Sequence, residues 1–153
     1  MYDTGRGVKQ DLAEALKWFR LAAGQGEVGS QVTLGIKYEP GRGVAQDYAE
    51  ALRWYRAAAG VAQAQNKRGI MYNNGRGVKQ DYVEAVKWHR LAVEQGEVDA
   101  ARNLGAMYFN GHGVSQDHTE SMKWFRRAAD KGVAQSQNVV GFMYFEGKSP
   151  RFG

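Results

Sequence analysis

The chain contains no cysteine, which excludes disulfides, thiolate-held metals and a cysteine nucleophile together. Long apolar runs are missing as well, since none approaches the ~20 residues needed to span a bilayer. The opening Met1-Tyr2-Asp3-Thr4-Gly5 lacks the basic-then-apolar order of a signal peptide. The default expectation is therefore cytoplasmic, with a periplasmic or secreted location if the chain is a piece of a longer protein. Histidine is scarce, with three copies, and no serine stands in a nucleophile-elbow context. His89 fills a slot taken elsewhere by Phe19, Tyr55 and Phe125, and reads as a core aromatic substitute. His112, Asp117 and His118 are near one another but follow no zinc-ligand spacing. No catalytic residue, cofactor or metal is expected, and the chain is read as a non-enzyme.

What the chain has is self-similarity. Gly-x-Gly-Val stands at Gly5, Gly41, Gly75 and Gly111, so the first glycines lie 36, 34 and 36 residues apart. A tryptophan follows each at the same distance: Trp18, Trp54, Trp88 and Trp124. A period of this length marks a solenoid, which offers an extended surface more readily than a closed reaction chamber. The 153 residues then form one array: a half repeat over 1–27, repeats over 28–60, 61–96 and 97–132, and a terminal half repeat with tail over 133–153.

Each unit reads as two helices. Helix B starts at Asp11, Asp47, Asp81 or Asp117, with Glu14, Glu50, Glu84 or Glu120 three residues later. That is the aspartate form of a capping box. Its apolar stripe has helical period, as in Ala51, Trp54, Tyr55 and Ala58, and places the tryptophans in the core between helices. Helix A ends near Tyr38, Tyr72, Tyr108 or Tyr144, three residues after Gly35, Gly69, Gly105 or Gly141. A mid-helix glycine costs ~1 kcal/mol against alanine, so its recurrence predicts close approach of a bulky partner. The net charge of +5 permits acidic partners. Many basic residues, however, recur in register with acids on helix B, as in Glu84, Lys87 and Arg90, and read as a solvated face. The glycines follow a helix and lack the Lys-Ser/Thr of a phosphate loop.

The run Leu-Gly-x-Met-Tyr-x-Asn-Gly-x-Gly-Val-x-Gln-Asp from Leu104 to Asp117, with Glu-Ala-x-Lys-Trp-x-Arg-x-Ala from Glu84 to Ala92, resembles the Sel-1-like repeat, a relative of the tetratricopeptide repeat. The resemblance covers nearly the whole chain. It implies an all-α, right-handed solenoid of antiparallel helix pairs. It also implies protein–protein interaction, often as an adaptor in bacterial envelope, signalling or host-contact processes. The cysteine-rich branch of the family has been linked to β-lactam binding and hydrolysis, and the missing cysteines argue against that inheritance. Arg68 stands where the other units have Leu34, Leu104 and Val140, and Lys37 where they have Met71, Met107 and Met143. The array is therefore expected to be least regular in its middle.

In the tetratricopeptide relatives one face of helix A lines the concave surface. Carried over position by position, that face supplies a peptide-binding set: Val32, Ile36, Asn66, Ile70, Asn73, Arg102, Phe109, Asn138, Phe142 and Phe145. Asparagines suit a peptide backbone, phenylalanines give apolar contacts, and Arg102 suits a carboxylate. Single-stranded nucleic acid is the rival partner, but concave arginine or lysine occurs in one unit only and not as a track. The array begins with helix B and ends with helix A. Apolar residues at both ends, including Leu12, Leu16, Val140 and Phe142, predict self-association, with simply tolerated exposed ends as the alternative.

Overall fold

A computed structural model of the chain describes residues 11–147. The Gly5-Arg6-Gly7-Val8 element and the tail from Lys148 lie outside them. The described residues form eight α-helices and no strand: α1 (Leu12–Gly24), α2 (Val28–Tyr38), α3 (Tyr48–Ala57), α4 (Ala62–Asn74), α5 (Tyr82–Glu94), α6 (Val98–Asn110), α7 (His118–Asp130) and α8 (Ala134–Phe145). Odd-numbered helices are the B type and even-numbered ones the A type. Each packs on its chain neighbours, and the pairs joined by a Gly-x-Gly-Val loop pack most closely. The result is an α-solenoid.

Each described helix B begins as its sequence dictates. The Asp11, Asp47, Asp81 and Asp117 carboxylates accept from the N–H of Glu14, Glu50, Glu84 and Glu120 at 2.9–3.0 Å. The returning half of the capping box is absent among the described residues. The glutamates turn instead to Lys17, Arg53, Lys87 and Lys123, three positions on, at 2.9–3.3 Å. The A-to-B loops are pinned in one way throughout. The Arg42, Arg76 and His112 N–H groups donate to the Lys37, Met71 and Met107 carbonyls, and the Asp47, Asp81 and Asp117 N–H groups to those of Tyr38, Tyr72 and Tyr108. The Gln46, Gln80 and Gln116 side chains donate to the carbonyls of Glu39, Asn73 and Phe109 at 2.7–3.0 Å. Gly77 and Gly113 have positive φ, and a side chain there would collide with the backbone of Tyr48 or Tyr82.

The glycine inside helix A has the role its recurrence requires. The Tyr55 ring lies on Gly35, that of His89 on Gly69 and that of Phe125 on Gly105. A β-carbon on Gly69 would sit 2.6 Å from the His89 ring, and one on Gly105 2.9 Å from that of Phe125. Tyr55 and His89 are consequently fully buried. The tryptophans are not the core residues that the helical stripe suggested: Trp18 is 51% exposed, and Trp54, Trp88 and Trp124 are half-buried. Each notch accepts one ring, and the tryptophan lies one residue, about 100°, around the helix. The Trp54 and Trp124 indoles pack at the edge of the core and also border charged side chains, with Arg53 4.9 Å from the Trp54 ring centre and Arg127 5.7 Å from that of Trp124.

The same geometry absorbs the irregular middle. Buried Arg68 stacks 3.4 Å over Trp88, whose indole N–H donates to Glu84 at 2.9 Å. The arginines read as part of a solvated ladder also do more than that. Arg20, Arg56, Arg90 and Arg126 donate to the hydroxyls of Tyr38, Tyr72, Tyr108 and Tyr144, tying helix B to the helix A that follows it. Another repeated bond covers the end of helix B. The Gln31, Gln65 and Gln137 amides donate to the carbonyls of Ala23, Ala59 and Ala129. Ala101 occupies that position in the remaining unit, and there Arg127 supplies the donor to the Val93 carbonyl at 3.2 Å.

His89 is the polar exception among the notch rings. It is 1% exposed, with Nδ1 2.8 Å from Asn66 Oδ1, and the Asn103 amide donates to the same oxygen at 3.0 Å. Burial, with the nearby Arg102 charge adding to it, pushes the imidazole down to about 4. The neutral ring therefore donates from Nδ1.

Two tests follow from this core. Gly69→Ala drives a methyl into a buried ring and is expected to lose ~1–3 kcal/mol, as overpacking does. Gly141→Ala, where no described atom lies within 4 Å, should gain up to ~1 kcal/mol of helix propensity. Urea melts of both variants check the opposite signs, and two losses of equal size would refute the notch. The second test uses pH. Unfolded histidine titrates near 6.5, so between about 6.5 and 4 the unfolded chain binds a proton that the folded chain refuses. The stability from a neutral His89 is complete above pH 6.5 and is lost as pH falls through that window, by ~2 kcal/mol between pH 7 and 5. His89→Phe should remove that increment of acid sensitivity. Identical pH profiles for the two proteins would contradict a buried neutral imidazole.

Candidate functional site

Four clefts among the described residues follow one another along α2, α4, α6 and α8, the last of them reaching onto Gly141. Ile36, Ile70, Ala106 and Phe142, which share one position in helix A, line successive clefts. The first lies between α2 and α4 and their following loops, and is bordered by Glu39, Arg42, Gln46, Tyr48, Lys67 and Arg76. The second, of about 350 Å³, lies between α4 and α6 with Asn73, Asn74, Arg102, Asn103, Asn110 and His112 on its walls. A third joins Arg102 and Ala106 to Gln135 and Asn138. The last is formed by Gln137, Asn138, Gly141, Phe142 and Phe145.

Seven of the ten sequence-derived positions line these clefts: Ile36, Ile70, Asn73, Arg102, Asn138, Phe142 and Phe145. Phe145 is 88% exposed. Three positions are committed elsewhere. Val32 is 7% exposed and belongs to the core around Tyr55. Asn66 is 6% exposed, with its oxygen occupied by His89 and Asn103. Phe109 packs on the cluster of Met122, Phe125 and Met143, with its ring 4.9 Å from that of His118. Lys67 and Asn103, which share the position one residue further along helix A than Asn66 and Arg102, line the clefts as well.

The chemistry changes along the face. In the first cleft the Glu39 carboxylate is engaged by Lys67 at 3.1 Å and by the Tyr55 hydroxyl at 2.9 Å. In the second, Asn73, Asn103 and Asn110 each donate once, to Asn74, Asn66 and the Ala106 carbonyl. Their own side-chain oxygens keep no partner among the described residues, an arrangement suited to N–H donors of a bound chain. Arg102 is held by a long pair with Asp99 at 3.8 Å. The last cleft is aromatic. Sequence reasoning missed the loop residues Arg42, Arg76 and His112, although the middle position of Gly-x-Gly-Val is basic in each of these copies. His112 stacks on Tyr82 at 4.3 Å and His118 lies against Phe109. Among the described residues no three of His, Cys, Asp and Glu converge as metal ligands, and no helix is long and apolar enough to cross a membrane.

Comparison with known proteins places this geometry. The Sel1 repeat pattern matches residues 1–27, 30–59, 62–97, 98–133 and 134–151. No curated protein matches the chain. Among solved structures, c5321, a protective antigen of uropathogenic Escherichia coli with an SLR fold, is 44% identical with a TM-score of 0.91, covering 95% of this chain and 32% of its own. A Sel1 repeat protein from Oxalobacter formigenes is 34% identical with a TM-score of 0.91, covering 95% of this chain and 59% of its own. The chain therefore spans a third to three-fifths of these two proteins. Helicobacter pylori cysteine rich protein B shares the fold at 20% identity and a TM-score of 0.65, covering 88% of this chain and 98% of its own. Sel1 repeats generally serve as protein–protein interaction scaffolds. The repeat matches and the shared solenoid lead to one conclusion: the chain belongs to the Sel1 repeat family.

Proposed function

We propose that the chain is an interaction scaffold that holds an extended peptide or protein segment along the open face of α2, α4, α6 and α8. One observation carries the reading: clefts follow one another on that face, and the second presents side-chain oxygens without partners among the described residues. An extended chain advances ~3.3 Å per residue and leaves its backbone unpaired, so a row of amide side chains along a groove meets a need of the ligand. Ile70, Ala106 and Phe142 supply apolar contact between those polar groups. Nothing in this arrangement positions a nucleophile beside a base, so binding accounts for the face without a reaction.

The test is selection of a random peptide library on the intact array. Ala106→Gln with Asn73→Ala fills the clefts on both sides of α6 and removes one amide. It is expected to weaken captured peptides about tenfold or more, the scale of a lost central contact, while far-UV circular dichroism stays unchanged. Lys87→Gln with Lys123→Gln alters exposed pairs on α5 and α7 and should leave capture intact, because such pairs contribute little. Peptides held equally by all three proteins would remove the binding site from this face.

A further inference from the structure

The first cleft gathers three cations, Arg42, Lys67 and Arg76, around one carboxylate, Glu39. Glu39 is already matched by Lys67 and the Tyr55 hydroxyl. The guanidiniums of Arg42 and Arg76 have no carboxylate partner among the described residues, and both rise from loops that hydrogen bonds hold in place. The Arg42 N–H is bonded to the Lys37 carbonyl and the Arg76 N–H to that of Met71. Arg76 lies 5.5 Å from the centre of the Tyr48 ring, whose hydroxyl accepts from Gln46 at 3.1 Å. Tyr48 and Gln46 line the cleft themselves, so the cation rests on a fixed support.

We propose that this cleft is a receptor for the carboxylates of an acidic peptide segment. The inference rests on the peptide-binding reading above and adds the class of partner. Two guanidiniums lining one cleft, without a carboxylate partner among the described residues and set beside an apolar wall at Ile36, match carboxylate oxygens by paired N–H donation. The loop N–H groups of Arg42 and Arg76 are bonded to helix carbonyls, so these two residues meet a ligand through their side chains. Preorganisation lowers the ordering cost on binding. The bound segment is therefore polarised: acidic where it crosses α2 and α4, and apolar or aromatic where it reaches Phe142 and Phe145 on α8.

The experiment compares fluorescein-labelled hexaglutamate and hexaglutamine by anisotropy on the intact array. Hexaglutamate should bind about tenfold more tightly, an advantage that falls as salt screens the charges. Arg42→Gln with Arg76→Gln should abolish the difference. Lys87→Gln with Lys123→Gln, which removes the same charge from α5 and α7, should preserve it. Equal loss in both variants would reduce the effect to the overall positive field and overturn the proposal, as would no loss in either. A single-stranded oligothymidylate that outcompetes hexaglutamate through the same two arginines would overturn it in favour of nucleic acid. Selected peptides that need Asn73 and Ala106 but neither acid groups nor Arg42 and Arg76 would sink this inference and leave the groove standing. Hexaglutamate sensitive to the arginines, with peptide capture indifferent to Asn73 and Ala106, would keep the cleft and sink the groove.

Discussion

A ring seated on a glycine is the contact on which the rest of this solenoid depends. Tyr55, His89 and Phe125 each press on a helix A backbone that has no side chain to keep them away. Dispersion contacts are individually weak and accumulate only at close range, so the distance between the two helices is set by this one missing methyl. Once that distance is set, the loop between them has a fixed span to cross. Its glycine turn, its glutamine tie and its aspartate cap then recur with little change. The strain-free left-handed turn is confined to glycine, which is why the Gly-x-Gly element and the mid-helix glycine keep the same offset.

The open face inherits its geometry from that constraint. With helix A held against the following helix B, its opposite side is free of packing demands and differs from copy to copy. The unit-to-unit differences are therefore chemical and not structural: cations and an acid first, amides next, aromatics last. Where a core substitution intrudes, the face responds. His89 in the notch is met by Asn66, whose side-chain oxygen also accepts from the Asn103 amide.

Much of the fold was legible before any coordinates. The period, the Asp caps, the helix pairs and the close approach at Gly35, Gly69 and Gly105 all follow from residues that repeat. The tryptophans were misplaced because helical periodicity gives the buried arc but not which of two adjacent rings fills a notch of one ring's width. The Arg20-to-Tyr38 bond and its counterparts went unseen for a different reason: charge spacing along one helix says nothing about a hydroxyl on the next. On the groove, most of the transferred positions reached the surface. Val32 and Asn66 did not, because burial at that row depends on what stands opposite in the following helix B, which no spacing within helix A reports.

The bond from Arg127 to the Val93 carbonyl has a consequence for how such arrays are divided. In the other units a glutamine on the next helix A covers the equivalent carbonyl, and each unit supplies its neighbour's need. At Val93 that glutamine is an alanine, and the donor arrives from the helix B one full period later. The backbone is modular there while the side-chain inventory is not, since one unit carries a debt settled by another. Duplication, deletion or grafting at that seam removes the side-chain donor and leaves the Val93 carbonyl to the Gly96 N–H alone, although every element keeps its length and pattern. Interchangeability of repeats is thus a property of particular junctions, and the junction after α5 does not have it.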